Sequence, residues 1–168
     1  FICSTITEDY IYLILYEGNS YKIKIYTNSH DSIPVLLNTV DIDSAQIQNE
    51  VPTKQRLVGN YLEVKTLNCS QFYSLEDPTC PLLICNLDPN NINTGAFIDG
   101  YFFSPNWRII NVYDFNNIES LTITPVTSFE ANNNVLYIYP VEYNNQKYIV
   151  THQQSGFGRP FDRQRSYP

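Results

Sequence analysis

The chain reads as an all-β protein: an antiparallel β-sandwich, jelly roll or barrel of about ten strands with little helix. Three observations carry that reading. Apolar and polar residues alternate with period two in long stretches, the connections are short and rich in Asn, Asp, Pro and Gly, and no apolar pattern of helical period is long enough to organise a core. A length of 168 residues suits one domain around a single core. We place that domain at residues 1–154, with 155–168 as an extended arm or linker.

The clearest element is YIYLILYEGNSYKIKIYT, Tyr10 to Thr27, which alternates on both sides of Glu17-Gly18-Asn19-Ser20 and predicts a hairpin. Ile11, Leu13 and Leu15 are expected to form a core face with Ile23 and Ile25. Tyr10, Tyr12, Tyr16 and Tyr26 are then expected to form a contact face with Lys22 and Lys24. Intervening strands are predicted over 33–39, 56–66, 81–86, 95–103, 107–113 and 121–127. A second hairpin spans Val135 to His152, with Asn144-Asn145 at a turn that needs positive φ and Pro140 marking an edge or a bulge. Asp43-Ser44 is a capping signal for a short helix over 44–50, and 70–76 reads as another helical turn.

Charge excludes some partners. The net charge of −7 and the pI near 4.6 argue against nucleic acid, which demands clustered Lys and Arg. No apolar run approaches the roughly 20 residues that a membrane-spanning helix needs. Phe1 in place of an initiator Met leads us to expect a chain trimmed of a signal peptide, and hence a secreted or extracellular protein.

The cysteines agree with that compartment. Cys3, Cys69, Cys80 and Cys85 lack CxxC spacing and have only His30 and His152 as co-ligands, so two disulfides are expected in preference to zinc. CPLLIC, 80–85, reads as extended and separates its two sulfurs, which leaves Cys69–Cys80 with Cys3–Cys85, or the crossed pairing. The first closes a loop of about ten residues and is preferred. Asn68-Cys69-Ser70 is a glycosylation sequon.

Catalytic and cofactor motifs are weak throughout. DIDSAQIQNE, 41–50, begins like a calcium loop but lacks its turn glycine and closing Glu, so Asp41 and Asp43 read as solvated turn carboxylates. The chain has no Gly-x-Ser-x-Gly elbow and no HExxH, and Gly156-Phe157-Gly158 lacks the third glycine of a dinucleotide loop. We therefore expect no enzyme and no cofactor. Trp107 in GYFFSPNW sits beside Asn106 and near Asp99, the residue types of a sugar-stacking surface.

The C-terminal SGFGRPFDRQRSYP opposes the acidic body in sign, holding Arg159, Arg163 and Arg165 against Asp162. With Phe157 and Phe161 as anchors it is expected to be a docking arm. The functional expectation is a structural or adhesive subunit that works by surface contacts with copies of itself. The alternatives are a lipocalin-like carrier of a small apolar ligand and a glycan-binding module.

Overall fold

The computed structural model describes residues 1–29, 31–43, 47, 50–87, 95–118 and 120–154. Among these the chain is all-β, with fifteen strands and no helix. It divides into two compact units: Phe1–Asn90 with Asp114–Thr124, and Asn91–Tyr113 with Pro125–Pro168. Each unit has its own apolar cluster, where the chain length suggested one core.

The first unit holds two sheets. One has the order β1-β2-β3-β4, from Cys3–Ile6, Tyr10–Glu17, Ser20–Thr27 and Leu36–Ile42. The other runs β12-β8-β7-β6-β5, where β5 is Lys54–Val58, β6 Tyr61–Lys65, β7 Ser70–Ser74, β8 Leu82–Leu87 and β12 Thr122–Ile123. Their inner faces share one core: Tyr12, Ile14, Ile23 and Ile25 from the first sheet, and Leu62, Val64 and Tyr73 from the second. This is the layered arrangement of a sandwich. Among the described residues none of the sheets closes into a barrel.

The first hairpin forms where expected, with Ile23 and Ile25 in the core as expected but with the two faces of β2 exchanged. Gly18 and Asn19 have φ of 60° and 67° and close a two-residue turn. That turn pairs Glu17 with Ser20, Ile14 with Ile23 and Tyr12 with Ile25. Tyr12 therefore lies on the core side, 1% exposed, with its hydroxyl donating to Pro78 O at 3.1 Å. Ile11, Leu13 and Leu15 share the opposite face with Tyr26, Lys24 and Lys22. Thus Tyr10, Tyr12, Tyr16 and Tyr26 are not one contact face: Tyr12 is buried and Tyr26 points the other way. Tyr16 is exposed and packs on Tyr21 with ring centroids 5.0 Å apart.

Other expectations shift as well. Residues 70–74, read as helical, form strand β7 at the centre of its sheet. The single strand expected over 56–66 is a hairpin folded at Gly59, φ 59°. At 43–50, Ile47 N–H donates to Asp43 O at 3.3 Å, while 44–46 and 48–49 lie outside the described residues. Asp41 pairs with Lys22 at 2.9 Å, and this hydrogen bond holds its carboxyl below the usual range.

The cysteines are thiols, which corrects the disulfide expectation. Cys69 immediately precedes β7 and Cys80 lies beyond its far end, in the connection to β8. A five-residue strand separates them by about 17 Å, three times the reach of a disulfide. Cys3 sits on edge strand β1 opposite Ile14, while Cys85 is buried on β8 opposite Phe72 in the other sheet. Burial pushes the Cys3 thiol up to about 11 and the Cys85 thiol up to about 12. Unfolding without reductant is therefore expected to release four titratable thiols. In the native state exposed Cys80 should react first with a thiol reagent and Cys85 last; a count of zero would restore the disulfides.

The same groups set an alkaline limit. Burial also raises the Tyr12 phenol to about 12, so the fold favours the protonated forms of Tyr12 and Cys85. Their contribution is complete below the unfolded thiol value of 9.0 and is lost as pH rises toward about 12. Urea midpoints should accordingly be level between neutral pH and 9, then fall.

Candidate functional site

The second unit carries an exposed apolar face. Its main sheet has the order β13-β11-β10-β9, from Thr127–Glu130, Ile109–Asp114, Tyr101–Asn106 and Ala96–Ile98. A separate two-stranded ribbon follows, with β14 over Asn134–Tyr143 and β15 over Gln146–Gln154. Asn144 and Asn145, φ 52° and 57°, form the positive-φ turn that the sequence required.

The turn fixes the ribbon's register and hence its faces. Tyr139 pairs with Val150, Pro140 with Ile149, Val141 with Tyr148, and Glu142 with Lys147. Ile138, Pro140 and Ile149 therefore lie on one face, and Ile138 and Ile149 pack with Ala96, Ile110 and Val135. Lys147 on that face forms an ion pair with Asp99, whose hydrogen bond raises the Lys147 pKa. The inner face is held down at both ends.

Among the described residues the outer face has no such cover. Tyr137, Tyr139, Val141, Tyr143, Tyr148 and Val150 are all exposed, from 41% at Tyr137 to 66% at Tyr143. His152 shares that face and stacks on Tyr137, centroids 5.8 Å apart and planes at 21°, and Tyr137 stacks in turn on Tyr139 at 6.2 Å. No carboxylate, lysine or arginine interrupts the row. Contiguous exposed apolar surface of this kind marks an interaction site, and tyrosine supplies contact area with few rotamers to freeze.

A second feature sits at the β10–β11 turn. Trp107 has φ 56° and is 49% exposed, beside an open groove of 590 Å³. Arg108 pairs there with Glu130, Nη2 to Oε1 at 3.0 Å. The turn is tied down by backbone bonds: Val135 N–H donates to Trp107 O at 2.7 Å, and Ala131 N–H to Arg108 O at 2.6 Å.

The residues singled out from sequence are dispersed over these units. Tyr10, Tyr12, Tyr16, Tyr26 and all four cysteines belong to the first, Trp107 to the second. Asn68 is exposed, and both its N–H and its Nδ2 donate to Glu50. Phe157, Arg159, Phe161, Arg163 and Arg165 lie outside the described residues. The ribbon face went unread although its signal was present: Tyr137, Tyr139, Val141 and Tyr143 share one parity, and the Asn-Asn turn sets Tyr148, Val150 and His152 opposite them. Among the described residues no helix is long and apolar enough to cross a membrane. No protein-family model and no curated protein matches the chain.

Proposed function

We propose that the protein is a non-enzymatic contact module that associates with copies of itself through the outer face of the β14–β15 ribbon. The observation that supports this is the uninterrupted exposed row from Tyr137 to Tyr143 with Tyr148 and Val150 opposite. Each copy carries a net charge of −7, so association is opposed except where two surfaces meet without carboxylates. The outer face is such a surface. A two-fold axis would bring the same face of two copies together and set the Tyr and Val rows of one against those of the other. The basic segment 155–168 then has a role at the acidic body of a neighbour, with Arg159, Arg163 and Arg165 as carboxylate ligands. Secretion, with Asn68 as a glycan acceptor, belongs to the same reading.

The test is oxidative footprinting at increasing protein concentration. Labelling of Tyr139, Tyr143 and Tyr148 is expected to fall as the chain associates, while Tyr16 in the first unit stays constant. Equal labelling at every concentration in an associating sample would remove the ribbon from the interface.

A further inference from the structure

We propose that the groove beside the β10–β11 turn binds a neutral saccharide, with Trp107 as its stacking platform. This is independent of the self-association reading, since it uses a different surface of the unit.

The backbone gives the first reason. Trp107 occupies the left-handed region, which a bulky side chain adopts rarely and at an energetic cost. At its other described positive-φ hairpin turns the chain uses Gly18-Asn19, Gly59-Asn60, Asp99-Gly100 and Asn144-Asn145, residue types that accept this conformation readily. An indole kept where Asn or Gly would close the turn more easily, and kept half exposed, is an outlier that points to use of the ring.

The groove supplies the second. Its 590 Å³ lies within the range of small-ligand sites. Asn106, Ser128 and Asn134 line it beside Trp107, Ile109 and Phe129, together with the Arg108–Glu130 pair. That pair sums to zero charge, so the groove selects neither an anion nor a cation. It presents instead a set of donors and acceptors beside an aromatic face. A sugar ring matches this combination: one face of C–H groups to lie on the indole, and a rim of hydroxyls for the amides, the serine and the ion pair.

The sequence makes the test direct, because Trp107 is the only tryptophan. The full chain is titrated with a panel of neutral oligosaccharides: cellobiose, maltotriose, lactose, chitobiose and mannobiose. At least one is expected to change the Trp107 emission saturably in the millimolar range, with an affinity unaltered by molar salt. Saturation-transfer NMR then compares wild type with Trp107→Asn, chosen because Asn accepts the turn conformation, and with Asn134→Ala. Each variant is expected to weaken binding at least about tenfold while retaining the wild-type melting profile. No saturable change with any sugar in the panel would overturn the proposal. So would undiminished saturation transfer in folded Trp107→Asn.

Discussion

Arg56→Met alone is expected to destabilise the first unit by about 3–5 kcal/mol, whereas Arg56→Met combined with Glu63→Leu should cost far less. Arg56 on β5 lies opposite Glu63 on β6, and its Nε donates to Glu63 Oε2. The Glu63 side chain is only 1% exposed. Glu63 Oε1 and Arg56 Nη2 have no hydrogen-bond partner among the described residues, so the pair repays its desolvation incompletely. Removing the guanidinium leaves a buried carboxylate with little alternative. Lys65, two residues along the same face of β6, is itself held below its usual pKa, chiefly by burial. Removing both charges eliminates the desolvation cost and lets Leu and Met pack beside Phe72, which lies opposite Glu63 on β7. Urea unfolding of the two variants reads the difference. Equal destabilisation would mean that the pair contributes through packing alone.

Phe102→Ala is expected to cost the second unit about 3–5 kcal/mol. Its ring is fully buried, with Phe97 at 4.9 Å and Tyr113 at 6.4 Å between centroids. Gly95 is the position that makes room for it. A Cβ on residue 95 would stand 2.2 Å from the Phe102 ring and 2.7 Å from Phe103 O. Gly95→Ala should therefore destabilise by about 1–3 kcal/mol through forced movement of the ring. In the Phe102→Ala background that cost should shrink, because only the carbonyl contact remains. A double-mutant cycle with coupling above about 0.5 kcal/mol would bear this out, and strict additivity would contradict it.

Much of the fold was legible because alternation and turn chemistry are local. Both long hairpins, the Gly18-Asn19 and Asn144-Asn145 turns and the edge position of Pro140 follow from residues a few positions apart. Faces and registers were less legible. Pairing Ile23 and Ile25 with Ile11, Leu13 and Leu15 requires an odd loop, and the two-residue turn shifts the register by one, which exchanges the faces of β2 while those of β3 stay as expected. Strands expected to be continuous over 56–66 and 95–103 are hairpins, since Gly59-Asn60 and Asp99-Gly100 reverse the chain within two residues. Ser70–Ser74 resembles a helical turn only until neighbours on both sides supply its hydrogen bonds. The cysteine pairing failed for a similar reason: sequence separation suggested a closable loop, but a strand holds its ends apart. As for the site, the tyrosines of the first hairpin drew attention by number. Burial decides which tyrosines are available, and burial is a tertiary property.

Light scattering across a concentration series, comparing the full chain with Tyr139→Lys and Val150→Glu, tests the account most directly. Both positions are exposed on the ribbon's outer face, so each variant is expected to keep the wild-type fold. The account predicts a mass that rises with concentration for the wild type and stays at 19.5 kDa for both variants. A wild type that remains monomeric throughout, or variants that associate as it does, would contradict assignment of the outer face as the self-association surface.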